Sequence, residues 1–170
     1  MIESIVLAQT YGGRSGGFLK TVTKPGPSAT IERQAGMEVF TSYYGRTKQL
    51  RKAGIEPVAI SRGVPKWYDG ASYQALAPTW AMMHMTIDQY WEQYWRILSG
   101  LEPNFILGEI LQTVSVDASG IALVCYEKNP EECHRSAVAK WLNEAGYDVR
   151  EWEPPAPRRA VSLTGQMALF

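Results

Sequence analysis

Only two cysteines and two histidines occur in these 170 residues. Two thiols cannot make the disulfide framework that holds small secreted domains together, so an apolar core must do that work and a reducing, cytoplasmic setting is expected. Charge of either sign is not in excess, since 17 Lys and Arg face 17 Asp and Glu. That balance excludes loose, charge-driven coating of nucleic acid or of an anionic membrane, but not a local basic patch. Long apolar runs are missing too. No stretch approaches the ~20 residues of a membrane span, and the first residues lack the basic start and apolar core of a secretory signal, so no membrane association is expected. What is present is core material. With 45% apolar and 11% aromatic residues, the chain has enough for one globular domain.

Residues 2–11 (IESIVLAQTY) read as a strand, and residues 12–36 are rich in Gly, Ser, Thr, Lys and Pro without an apolar period. The GGRSGG run lacks the Gly-Lys-Ser/Thr ending and following helix of a phosphate loop. Residues 1–36 are therefore expected to be an extension. From Met37 the pattern sharpens. MEVFTSYYG predicts a strand ending in a hydroxyl-rich turn, 46–53 a short helix stopped by Gly54, and EPVAIS (56–61) a second strand. This spacing predicts a parallel pair with a right-handed crossover. RGVPKWYDG (62–70) is a loop beyond a strand end, and LAPTWAMMHM (76–85) has no clear period. TIDQYWEQYWRILSG predicts a helix with Thr86 as N-cap and Gly100 as stop. Its aromatics (Tyr90, Tyr94, Trp91, Trp95) read as core in preference to a base-stacking platform. PNFILGEILQTV (103–114) predicts a further helix and YDVREW (147–152) a last strand. Residues 153–170 begin as a Pro-rich, polar tail. The fold class expected for 37–152 is α/β: a compact layered domain with a short, mostly parallel central sheet flanked by helices.

The chain is organised around 121–145. Ile121 to Tyr126 is nearly all apolar, as a strand buried on both faces should be. Asn129-Pro130 turns the chain into a helix from about Glu131, striped by Ala137, Val138, Trp141 and Leu142 and stopped by Gly146. Cys133, His134 and Arg135 are then expected in the first helical turn, at the carboxyl end of a strand. Open α/β sheets place ligands there, and free backbone N–H groups favour an anion.

Two readings of Cys133 stand. It is a nucleophile, with His134 or Glu127 moving the proton, or a small buried residue at a helix start. Arg135 suits a phosphate or carboxylate. Arg62 and Lys66 leave the neighbouring strand and are expected to converge with it, together with Ser61, Thr41 and Ser42. Trp67 or Tyr68 would stack a base there, or else cover the sheet edge. Cys125, Cys133 and His134 are three soft ligands, but their spacing matches no common zinc motif. No metal and no cofactor is expected.

CYEKNPEECHR, FTSYYG, AISRGVPKWYDG and the LAP of ALAPTW together resemble domain-of-unknown-function family 488, in its short, phage- and bacteria-associated branch. Members share a TSY strand, a PxWY loop and a closing CYEK…CHR strand, loop and helix, matched here from Glu38 to Trp152. The resemblance implies a compact α/β fold and no particular reaction. The last residues are similar to another pattern, the Gln-x-x-Leu-Phe peptide that binds bacterial sliding clamps. Gln166 would hydrogen-bond while Leu169 and Phe170 fill an apolar pocket. The expectation is a small enzyme of nucleotide or nucleic-acid metabolism, of DNA modification or repair type, with an anion pocket at the Cys-His-Arg turn. The alternative is a non-catalytic DNA- or ligand-binding adaptor recruited to a clamp through its tail.

Overall fold

The computed structural model describes residues 37–155. The 1–36 extension and the tail from 156, with Gln166, Leu169 and Phe170, lie outside the described residues.

Five strands form one sheet: β1 (Glu38–Tyr43), β2 (Ile55–Ala59), β3 (Ala71–Ser72), β4 (Gly120–Cys125) and β5 (Val149–Glu151). All pairings are parallel and the order is β3-β2-β4-β1-β5. Four helices join them: α1 (Thr47–Lys52), α2 (Ile87–Ser99), α3 (Pro103–Thr113) and α4 (His134–Glu144). The chain is α/β, as its alternating patterns predict. One expectation is corrected. β1 and β2 do not sit side by side, because β4 lies between them with Leu123 registered against Thr41 on one edge and Val58 on the other. Every residue of β4 is buried, so the strand needs neighbours on both edges as well as helices on both faces. Gly120 permits the approach: a Cβ there would stand 2.8 Å from the Glu38 carbonyl oxygen.

Side chains alternate across the sheet. Val39, Val58, Ile121 and Leu123 face one layer, where Leu98, Ile110 and Val138 from α2, α3 and α4 complete the core. Phe40, Ala59, Ala122 and Val124 face the other, closed by Leu50 of α1 and by Trp152. The helices end where the sequence predicts. Gly54 and Gly146 adopt φ of +77° and +95°, which side-chain-bearing residues resist. Thr86 opens α2 with a reciprocal cap: its hydroxyl accepts the Gln89 N–H at 3.4 Å and its own N–H donates to Gln89 Oε1 at 3.2 Å. Residues 74–76 and 80–84 are isolated 3-10 turns, which explains their lack of period.

The start of α4 differs from expectation. Asn129 Oδ1 accepts the Glu131 N–H at 3.2 Å, and Pro130–Glu132 closes a separate 3-10 turn. Cys133 is consequently the extended N-cap residue, and the helix begins at His134.

Replacing Thr86 with Ala removes the cap of α2 and is expected to cost about 1 kcal/mol. Urea unfolding should show a lower midpoint at an unchanged slope; an unchanged midpoint would mean that the cap contributes nothing.

Candidate functional site

The carboxyl ends of β2 and β4 open into a cavity of about 480 Å³. Its floor is made by Cys125, the last residue of β4, and by Cys133 and His134 at the start of α4. Ser61, Arg62, Glu127 and Glu132 supply its polar lining, and Tyr90 and Trp91 of α2 line it with Trp80. Trp80 and Ile87 are 67% and 66% exposed, so an apolar rim surrounds the mouth.

Geometry defines the proton on His134. Nε2 lies 2.9 Å from the Ile60 carbonyl oxygen, which can only accept, so Nε2 carries a hydrogen. In the neutral ring, Nδ1 then presents a lone pair, 3.7 Å from Cys125 Sγ and 3.9 Å from Cys133 Sγ. Tyr94 holds the ring in place: its edge packs on the imidazole at 5.3 Å between centroids, and its hydroxyl donates to the Leu76 carbonyl at 2.6 Å. The two thiols are both buried but are not equivalent. The contact with Cys125 pulls the Cys133 pKa down against the opposing effect of burial, helped by His134 and by the Arg135 backbone N–H. The same contact with Cys133, with burial and the nearby Glu127 carboxylate, pushes Cys125 up. Cys125 Sγ also donates to Glu127 Oε2 at 3.0 Å. Cys133 is therefore the more acidic of the two thiols.

Of the candidate catalytic and anion-binding residues, Cys133, His134, Glu127, Ser61 and Arg62 line this cavity, and Arg135, Lys66, Trp67, Tyr68, Thr41 and Ser42 do not. Arg135 is fully buried. Its guanidinium donates from Nε to Glu151 Oε2 at 3.1 Å, from Nη2 to Glu151 Oε1 at 3.3 Å and to the Lys128 carbonyl at 3.0 Å, and from Nη1 to the Glu127 carbonyl. These bonds commit its fork to the chain, and the guanidinium lies beside Cys133 without itself lining the cavity. Arg62 is tied to the segment after the 74–76 turn through the Pro78 and Ala77 carbonyls, each at 2.9 Å. Lys66 and Trp67 are exposed. Tyr68 donates to the Pro57 and Ala71 carbonyls at 2.8 Å, as a sheet-edge cover would. Thr41 donates to Glu151 at 2.8 Å and opens on a shallower groove beside α4. Ser42 is fully buried, and its hydroxyl has no hydrogen-bond partner among the described residues. The expected convergence of Arg62 and Lys66 on Arg135 thus does not assemble around this cavity.

Sequence reasoning missed Tyr90 and Trp91 as cavity residues. The stripe on α2 is divided: Tyr94 and Leu98 enter the core, whereas Tyr90 and Trp91 turn to the cavity. The available signal was an aromatic stripe wider than a buried helix face requires.

The family profile described as "Active DUF488-N3 subclade" matches residues 44–146. The chain belongs to the DUF488 family. The matched span of this DUF488 chain contains both cysteines, His134 and the aromatic wall. No curated protein and no solved structure matches the chain. No helix among the described residues is long and apolar enough to cross a membrane.

Arg135→Met leaves the Glu151 carboxylate and two carbonyls without their donor and is expected to destabilise the domain by about 3 kcal/mol. Arg135→Lys should restore only part of that, because one ammonium cannot serve the same fork of acceptors. Urea denaturation of both variants checks this; wild-type stability in either would refute the bracing role.

Proposed function

We propose that this DUF488 protein is a small thiol-dependent enzyme of nucleotide or nucleic-acid metabolism, acting on a flat heterocycle held in the cavity. The observation that carries the reading is the placement of Cys133 Sγ beside His134 Nδ1 at the cavity floor. The cavity volume of about 480 Å³ is in the range of small-molecule sites. Its aromatic wall favours a base or nucleoside, since every base has a face to stack. The description of the subclade as active supports an enzyme over an adaptor.

In this mechanism His134 Nδ1 takes the Cys133 thiol proton, and Sγ attacks an electrophilic carbon of the substrate. The sulfur–carbon bond forms as the bond to the leaving group breaks, and the leaving group departs with that proton. Water then cleaves the sulfur–carbon bond, returning the thiol and releasing a hydroxylated product. Glu127 and Glu132 favour substrate N–H groups, and among the described residues Arg62 supplies the one Lys or Arg cation that lines the cavity. The anion pocket expected at the Cys-His-Arg turn has little part in this reading, because Arg135 is committed elsewhere.

The test uses metal-free, reduced protein at neutral pH with iodoacetamide, read residue by residue by mass spectrometry. Cys133 should label about tenfold faster than Cys125, and His134→Ala should remove most of that difference. Nucleosides should protect Cys133 and quench tryptophan fluorescence. Equal, slow labelling of both thiols would refute the nucleophile. An adaptor would instead keep its cellular function in Cys133→Ser and lose it on deletion of residues 166–170.

A further inference from the structure

We propose that Cys125, Cys133 and His134 also form a binding site for one soft divalent cation of the zinc class, with its fourth position open to the cavity. This goes beyond the thiol chemistry, since a sulfur bound to the metal is not free to attack a substrate. The two states are alternative occupants of one cluster.

The spacing of these residues along the chain matches no common zinc motif, but their arrangement in space does the work that the motif would do. The two sulfurs and the imidazole nitrogen all lie within 4.8 Å of one another. Bonds of about 2.3 Å to sulfur and about 2.0 Å to nitrogen at a tetrahedral angle place S and N about 3.5 Å apart. The observed separations from Nδ1 are 3.7 and 3.9 Å, so each sulfur stands within a few tenths of an ångström of its metal-bound distance from the imidazole nitrogen. His134 is already in the tautomer a metal needs. Its Nε2–H is held by the Ile60 carbonyl, the outer contact that orients histidine ligands in metal sites. Cys125 ends a fully buried strand, Cys133 caps a helix, and Tyr94 buttresses the ring. The ligands are consequently held in place before any ion arrives.

A fourth donor is also within reach. Glu127 Oε2 lies 3.0 Å from Cys125 Sγ and lines the same cavity, and a cavity water is the alternative. Three protein ligands with an open position characterise zinc sites that do chemistry, whereas purely structural sites are closed by four. Charge is favourable. Binding expels the thiol protons, and two thiolates neutralise a divalent ion; the nearby Arg135 opposes a cation but is itself paired with Glu151.

The experiment is a titration of chelator-treated, reduced protein with Co²⁺, read by absorption. The expected result is one equivalent bound, with thiolate-to-cobalt charge transfer in the near ultraviolet and strong visible bands of four-coordinate cobalt, all lost on adding Zn²⁺. Cys125→Ser and His134→Ala, each checked for folding by circular dichroism, should weaken binding at least about tenfold. Zn²⁺ should also block iodoacetamide at Cys133. A folded protein with no thiolate-to-cobalt band would overturn the site, as would a band that persists at full affinity in Cys125→Ser. Neither outcome touches the covalent reading, because alkylation of the metal-free protein measures that separately.

Discussion

A charged guanidinium with no solvent exposure anchors the corner on which the site is built. Arg135 extends from the first turn of α4 to the Glu151 carboxylate on β5 and to the carbonyls of Glu127 and Lys128 just beyond β4. Such a charge is stable inside a protein only when its donors are matched. Matching them fixes three separate pieces of chain relative to one another. The loop that leaves Cys125 is drawn against the helix that begins after Cys133, and both are tied to the edge strand. Thr41 donates to the same Glu151 oxygen, linking β1 to the network.

The unequal thiols follow from that corner. Two cysteines eight residues apart face each other only because the loop between them is folded back and pinned. Once they meet in a buried place, two thiolates would repel strongly, so the pair gives up its protons unequally, Cys133 more readily than Cys125. The helix start adds free backbone N–H groups on the Cys133 side, and Glu127 adds negative charge on the Cys125 side. An imidazole with its lone pair turned to both sulfurs then makes a compact acid–base and ligand cluster. Proton transfer and metal capture are two uses of the same lone pairs, which is why the proposed covalent and metal-bound states exclude each other.

Around this cluster the cavity lining is mixed. It combines carboxylates and a tethered arginine with Tyr90 and Trp91, which meet edge to face at 5.3 Å. An anion would find little there to hold it, whereas a planar group with N–H donors would find a stacking surface and acceptors. In the proposed reading, this lining would take the heterocyclic half of a nucleotide rather than its phosphate. It also explains why the large residues at the mouth remain exposed, since a surface left apolar beside a cavity suits a ligand that extends outward.

Much of the fold was legible along the chain because its signals are local. The apolar run of β4, the capping pair Thr86 and Gln89, and the stops at Gly54 and Gly146 depend on neighbours within a few residues. The placing of Cys133 and His134 at a helix start after a buried strand was legible for the same reason. Other features were not, because they depend on strand order. Ile60 meets His134 across 74 positions, Glu151 reaches Arg135 only when β5 pairs with β1, and Tyr94 arrives from a helix packed on the far side of the cavity. The sequence by itself determined most of the longer strands and helices, the family and the presence of Cys133 and His134 at a helix start. Only the tertiary structure decided that Arg135 would turn inward and that Cys125 would join Cys133 and His134. A side chain's direction is set by which distant partners satisfy its charge and hydrogen bonds, and no local pattern names those partners.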